Sequence, residues 1–411
     1  MHQPVASRGK MVSSMSDHRI VQRTPSGDPF RHHAWRQPMN AERYSTWVEV
    51  DLDAIRQNVA IIAQHTGVAV MAVVKANAYG HGAVPVAKAA LEGGASWLAV
   101  ARPEEGLELR ENGLDCPILL LGYTPPAMVE TAIRNHLSMT VWRTEHIEAA
   151  DRVGQRLGIR ARLHLKVDTG MSRLGVPPEE ALPLVRQLAS ARGVSFEGIF
   201  THFARADEAD PTPTDEQEQR FRDLLQSLEA EALRPPWVHA ANSAASMYRS
   251  SAHFDMVRLG IAMYGLHPSS EAPLLPKMRP ALTWKAVLSH VKVLPPGRGV
   301  SYGHEYVTSH HERIGTIPVG YADGFRRLRG NAVLVGGKRV SVVGRVCMDQ
   351  IMVQLDAVPD ARPGDEVVLI GQQGGEKITA EDVARTWGTI NYEVTCAIGP
   401  RVPRIYHDTR A

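Results

Sequence analysis

From Val68 onward the chain repeats one pattern: a short apolar run, a brief loop, then an amphipathic helical stretch. The apolar runs read as strands at 68–75, 97–101, 118–122, 138–142, 161–167, 195–202, 237–242 and 255–259. Helical periodicity fills most of the gaps, at Val84–Leu91, Glu104–Glu111, Ala127–Asn135, Thr144–Leu157, Pro178–Ala191 and Glu216–Ala232. Strands that alternate with helices pair in parallel through right-handed crossovers. Eight such units are the number that closes a barrel. An open doubly wound sheet is the competing architecture, but no GxGxxG follows an early strand and no P-loop is present. The predicted fold class is therefore α/β, an N-terminal TIM-type (β/α)8 barrel.

The flanks read differently. Trp47–Leu52 alternates like a half-buried strand, and a helix is expected from Asp53 to about Gln64, starting at Asp53. Near Ala272 the pattern breaks at Pro273, Pro276 and Pro280. Beyond them, Ala286–Val293, Arg313–Val319, Ala332–Val335, Arg339–Val346, Ile351–Leu355 and Glu366–Ile370 read as antiparallel strands. One short helix, Ile378–Thr386, has Thr379 as its cap. The expected domains are a barrel over 45–272 and a C-terminal mostly-β domain over 273–411, with strand 47–52 available to pair with the latter. Residues 1–44 are polar, without periodicity, and read as a disordered extension. Met11, Met15 and Met39 leave the true start open.

Composition narrows the function classes. A formal net charge of +2 over 411 residues argues against a polyanion-binding surface, so no nucleic acid is expected. No run is long and apolar enough for a membrane, and the N-terminus lacks a signal peptide's apolar centre. Cys116, Cys347 and Cys396 are too few and scattered for a disulfide framework or a zinc site, which points to a reducing cytoplasm. His32-His33, His310-His311 and the other unassigned histidines are expected at the surface. No metal is expected.

The residue most suggestive of chemistry is Lys75, which ends the first barrel strand. Poor solvation at a barrel mouth lowers an amine's pKa and makes it a better nucleophile, base or Schiff-base former. The plainer alternative is a lysine that reaches out of a strand end into water. Phosphate groups often sit on the loops after strands seven and eight of such barrels. Here those loops read Ala241-Asn242-Ser243-Ala244-Ala245-Ser246 and Arg258-Leu259-Gly260-Ile261. Ser243 offers a hydroxyl near a helix start and Gly260 permits close backbone approach, although a cap and a tight turn would look the same.

Val73-Val74-Lys75-Ala76-Asn77-Ala78-Tyr79-Gly80-His81-Gly82 resembles the cofactor-lysine segment of bacterial alanine racemases. Leu165-Lys166-Val167-Asp168-Thr169-Gly170-Met171-Ser172-Arg173-Leu174-Gly175 is similar to a second segment of that family. Further matches are Phe200-Thr201-His202-Phe203, Gly299-Val300-Ser301-Tyr302-Gly303-His304, Val319-Gly320-Tyr321-Ala322-Asp323-Gly324, Gly344-Arg345-Val346-Cys347-Met348-Asp349-Gln350, Ile390-Asn391-Tyr392-Glu393-Val394 and Arg401-Val402-Pro403-Arg404. In order, they span Trp47 to Tyr406.

The resemblance implies pyridoxal 5'-phosphate (PLP) as cofactor and interconversion of L- and D-alanine, supplying D-alanine for peptidoglycan. It implies that Lys75 carries the cofactor and serves as base on one face, with Tyr302 as base on the other. Tyr79, Ser243, Gly260, Ile261 and Tyr392 would hold the phosphate beside Asn242. Arg258 would face the pyridine nitrogen, and its guanidinium stays protonated, which limits electron withdrawal by the ring. His202 would link Arg258 to Tyr302. Arg173 would contact cofactor and substrate carboxylate, Met348 would donate its backbone N–H to that carboxylate, and Lys166 matches a lysine carbamylated in some members. Tyr321 and Tyr392 would line the substrate path. Tyr302 and Met348 would act in a partner's site, implying a homodimer. Two alternatives stay open: a broad-specificity or serine racemase of this fold, and a non-enzymatic PLP-binding protein.

Overall fold

The computed structural model describes residues 43–409. All but the last two residues of the expected N-terminal extension lie outside that range. The first strand, β1 (Thr46–Asp51), leads directly into a helix, Leu52–Thr66. That helix is capped by Asp51 rather than Asp53: the Asp51 carboxylate accepts from the Ala54 N–H at 2.8 Å. An oxygen here satisfies an otherwise unpaired first-turn donor, an effect of about 1 kcal/mol. Gly67, at φ 67°, ends the helix in the left-handed region.

Eight parallel strands follow: β2 (Ala69–Val73), β3 (Trp97–Val100), β4 (Ile118–Leu120), β5 (Leu137–Val141), β6 (Ala161–Lys166), β7 (Val194–Phe200), β8 (Trp237–His239) and β9 (Met256–Leu259). Their order in the sheet is β8-β7-β6-β5-β4-β3-β2-β9. Backbone bonds from Asp255 N to Val238 O (3.1 Å) and Arg258 N to Ala241 O (3.0 Å) bridge the seam between β8 and β9. Residues of β3, β4, β5 and β9 are buried throughout, as expected for strands covered by helices outside and side chains within. Several strands stop earlier than their apolar runs suggest. Lys75, His202 and Asn242 each lie two or three residues beyond a strand end, where the backbone turns outward to form the barrel mouth.

The second half of the chain is mostly β. Its strands are β10 (Leu282–Val287), β11 (His290–Leu294), β12 (Gly299–Val300), β13 (Tyr306–Val307), β14 (Glu312–Ile317), β15 (Ala332–Val335), β16 (Lys338–Val343), β17 (Ile351–Gln354), β18 (Glu366–Gln373), β19 (Glu376–Ile378) and β20 (Arg404–His407). One sheet runs β11-β14-β17-β16-β15-β18-β10-β1-β20, with β19 on β18. So β1 pairs antiparallel with β10 and parallel with β20, and the strand before the barrel belongs to the C-terminal sheet. The single strand expected over Ala286–Val293 is in fact two. At Leu288 and Ser289 the chain passes from β18 to β14 as partner, with Leu288 N bonding Asp365 O and Ser289 N bonding Thr316 O. The helix over Ala380–Trp387 has the Thr379 cap expected, in a reciprocal arrangement with Asp382.

Candidate active site

Lys75 does not end β2 but opens a short turn. Ala76, Asn77, Ala78 and Tyr79 all have φ near +52°, a left-handed helical run of non-glycine residues. Each such residue costs roughly 1–2 kcal/mol, so the run persists only where its surroundings hold it. They do so from several sides. Glu105 accepts from Ala76 N (2.6 Å), Ala101 N (2.7 Å) and Arg102 N (3.1 Å). The Asn77 side chain accepts from Ala83 N at 2.8 Å. The buried Arg404 donates to Gly80 O at 3.0 Å. A Cβ on Gly80 would stand 2.1 Å from Thr395 O, so only glycine lets the helix Asn391–Ala397 approach this turn. Burial, followed by the Arg173 charge, lowers the Lys75 pKa, favouring the neutral amine.

Tyr79 emerges from this turn onto the loops after β8 and β9. The Ser243 hydroxyl accepts from Gly260 N (3.0 Å) and Ala262 N (3.3 Å), so two backbone donors converge on one oxygen. Asn242 caps the following helix through Ala245 N at 3.1 Å. A Cβ on Gly260 would lie 2.9 Å from the Tyr79 hydroxyl, leaving no room for a larger residue. Ile261 is buried beside them, and Tyr392 packs its ring 6.0 Å from that of Tyr79. Hydroxyls and backbone N–H groups converge around a missing Cβ. That donor set fits a phosphate.

Arg258 is 3% exposed and lies across the barrel mouth. Its guanidinium donates to His239 Nδ1 (3.0 Å), His202 Nδ1 (3.1 Å) and the carbonyls of His239, Thr201 and Ala240. Burial pulls its pKa down to about 9, still protonated at neutral pH. Burial, then the charges of Arg258, Lys166, Arg173 and Lys75, hold His202 well below the usual histidine range. His202 is thus neutral, and with Nδ1 accepting, its proton sits on Nε2. Lys166 packs over the Phe200 ring and donates to Val167 O at 3.1 Å. Burial and the nearby Arg258 push its pKa well down.

Tyr302, Met348 and Tyr321 stand apart from this cluster, 67%, 53% and 44% exposed. They come from one group of packed loops. The Ser301 hydroxyl donates to Arg345 O at 2.6 Å, while Tyr321 N and Ala322 N bond Cys347 O and Met348 O. Arg401 ties Asp323 to Asp349, each at 2.6 Å.

Some participants escaped the sequence reading. Glu105 could have been found from the Pro103-Glu104-Glu105 helix start, whose third residue often reaches back to backbone donors. The histidines expected at the surface need correction: His81, His164 and His239 are fully buried. A polar residue at the end of a barrel strand, as His239 is, was the available signal. His32 and His33 lie outside the described residues.

A barrel with a lysine of lowered pKa at its mouth, and a donor set that fits a phosphate at its last two strands, defines a class: enzymes that hold a phosphorylated carbonyl cofactor on a lysine. The family described as alanine racemase, N-terminal domain, matches residues 50–268, and its C-terminal domain matches 281–406. The chain is 50% identical over 364 residues to an alanine racemase of Symbiobacterium thermophilum, covering 88% of this chain and 97% of that one. An alanine racemase of Geobacillus kaustophilus is 50% identical over 368 residues, covering 88% and 94%. The crystal structure of alanine racemase from Bacillus anthracis with bound L-Ala-P aligns with a TM-score of 0.85 at 43% identity, over 91% of this chain and 97% of that one. The chain belongs to the alanine racemase family.

Proposed function

We infer that this chain interconverts L- and D-alanine with PLP, supplying D-alanine for peptidoglycan. The observation that carries the reading is a lysine at the barrel mouth, its pKa lowered by burial, near a buried arginine with no carboxylate among its hydrogen-bond partners in the described residues. Bound PLP would supply the electron-withdrawing ring that acidifies the α-hydrogen of an amino-acid substrate. Lys75 holds the cofactor and then, as a neutral amine, takes or returns the α-proton on one face. Tyr79, Ser243, Gly260, Ile261 and Tyr392 hold the phosphate, with Asn242 fixing the helix start beneath it. Arg258 would present a donor to the cofactor's pyridine nitrogen, favouring its unprotonated form. Arg173 orients the substrate carboxylate.

The second base is Tyr302, and Met348 N–H assists Arg173. Both lie on exposed loops, which supports a homodimer in which each barrel mouth is completed by the partner's β domain; Tyr321 and Tyr392 line the path between. His202, with its proton on Nε2, is set to donate toward Tyr302 and stabilise the phenolate that a base requires. Carbamylation of Lys166 would place an anion beside Arg258, where burial and the guanidinium disfavour an ammonium, and would orient Arg173. The barrel domain runs from the helix at Leu52 to about residue 272, and the β domain is built from residues 273–409 together with β1 (Thr46–Asp51). Three free cysteines, and no helix among the described residues able to cross a membrane, support a cytoplasmic protein. The test is absorbance of the purified protein with and without L-alanine, followed by chiral analysis. Formation of D-alanine is expected; a cofactor spectrum without racemisation would reject the reading.

A further inference from the structure

Barrel interiors are usually filled by layers of branched aliphatic side chains. Here a polar line descends from the mouth through the interior. Arg258 Nη1 meets His239 Nδ1 at 3.0 Å, His239 Nε2 meets His164 Nδ1 at 3.1 Å, and His164 Nε2 meets Glu197 Oε2 at 3.2 Å. The Ser138 hydroxyl also donates to Glu197 Oε2. His239 and His164 are fully buried, on β8 and β6; Glu197 is half-buried on β7.

The chemistry of the two ends dictates everything between them. A guanidinium can only donate, so His239 Nδ1 accepts and its proton resides on Nε2. That N–H donates to His164 Nδ1, which places the second proton on His164 Nε2. A carboxylate can only accept, and Glu197 receives it. Every hydrogen bond then points the same way. The fold also gives way to admit this line. A Cβ on Gly198 would fall 2.4 Å from His164 Nδ1, so a glycine in a central strand makes room for the ring. The β6–β7 register shifts between Leu163 and His164. Phe200 stacks on His239 at 4.7 Å, and Trp97 packs edgewise on His164 at 5.5 Å, fixing both ring planes. A buried polar network that is only partly satisfied is costly, whereas every ring nitrogen of the two histidines here has a partner.

We propose that Glu197 is a positioning residue for Arg258. Its carboxylate holds His164 and His239 as Nε2–H tautomers, which keeps His239 Nδ1 open to accept from the guanidinium. Without an acceptor at position 197, His164 gains by moving its proton to Nδ1. His239 must then carry its own proton on Nδ1, facing an arginine donor, and Arg258 is pushed from its place. The catalytic consequence rests on the racemase reading above; the proton positions do not.

The test has two parts. Neutron diffraction from deuterium-exchanged crystals of the wild-type protein, as purified, should show deuterium on Nε2 of both His164 and His239 and none on either Nδ1. Deuterium on Nδ1 of either ring overturns the proposal. Glu197→Met removes the acceptor, whereas Glu197→Gln retains one. For alanine racemisation, Glu197→Met should lose kcat by about 10- to 100-fold, as outer-shell partners commonly do. KM should change little, and Glu197→Gln should stay near wild type. Equal kcat in the folded Met and Gln variants, with only their melting temperatures lowered, would reduce Glu197 to a structural role. If Glu197→Met does not fold, the neutron map decides alone. A wild-type protein that fails to racemise alanine defeats the functional reading while leaving the map as a valid test.

Discussion

The barrel mouth and the loop face of the β domain carry similar residue types in opposite surroundings. At the mouth, Lys75, Lys166, Arg258 and His202 are drawn together in a poorly hydrated space, and each pKa moves toward the neutral form. On the loops, Tyr302, Met348 and Tyr321 face solvent. The mouth gathers the proposed binding groups and one proposed base, Lys75, whereas the other proposed base, Tyr302, lies on an exposed loop. The contrast supports the proposal that neither region is catalytic alone and that each is completed by the other region of a second chain.

The comparison breaks most sharply at Lys75. Lys75→Ala should abolish cofactor attachment and reduce racemisation by several orders of magnitude. Borohydride reduction and peptide mapping of the wild type should place the pyridoxyl label on Lys75. A label on Lys166 or Lys292 would reassign the mouth. Next in size is Tyr302→Phe, which should leave the cofactor bound because the mouth supplies every holding group. Deuterium incorporation from heavy water should fall by about 10²–10⁴-fold for L-alanine, with a much smaller loss for D-alanine. Racemisation itself cannot separate the two faces, since forward and reverse rates are tied by an equilibrium constant of one. Equal loss from both enantiomers would remove the two-base assignment.

Mixing the two inactive variants sharpens the contrast further. In a shared-site dimer, a heterodimer of Lys75→Ala and Tyr302→Phe chains has one site with both native residues and one with neither. Random exchange at equal concentrations should therefore restore about one quarter of wild-type activity, since half the dimers are mixed and half their sites intact. No recovery after demonstrated exchange would place both bases in one chain.

The same contrast explains what the sequence made legible. Barrel strands buried on both faces write themselves as apolar runs, and the helix Thr144–Leu157 and the C-terminal strand Ala332–Val335 were bounded to the residue. The residues that end those strands were read as more strand, because nothing in Lys75-Ala-Asn-Ala-Tyr79 announces a left-handed turn. That turn exists through Glu105, Arg404 and Thr395, which are distant in sequence. Local preference for the right-handed form is overruled by contacts that no local pattern encodes. The loops that converge through Ser243 and Gly260 were legible because they follow the last two strands of the barrel, where phosphates often bind. The line from Arg258 to Glu197 was not, because a histidine's burial depends on the strand register and on the space left by Gly198.

The smallest effect expected concerns the turn itself. His81 is fully buried, and its Nδ1 lies 3.1 Å from Ala78 O and 3.0 Å from Tyr79 O, so Nδ1 carries the proton and ties down two residues of the left-handed run. Its Nε2 has no hydrogen-bond partner among the described residues, and the ring packs 4.5 Å from that of Tyr264. A second proton would be an unpaired buried charge. Burial accordingly lowers its pKa to about 4, with the two carbonyls opposing that shift. The sign follows from proton counting: below about 6.5 the unfolded chain binds a proton that the folded chain refuses, so acid favours unfolding. The stability due to the neutral ring is complete above pH 6.5, is lost progressively toward pH 4, and amounts to at most about 3 kcal/mol. His81→Phe keeps an aromatic ring against Tyr264 but cannot titrate. It should be less stable at pH 7, because the two carbonyls lose their donor, yet its stability should fall less steeply between pH 6.5 and 4 than that of the wild type. Urea unfolding at half-unit pH intervals measures both slopes. Parallel slopes would mean that the ring takes up its proton within the folded state, and that the turn beside Lys75 is more open to water than its packing indicates.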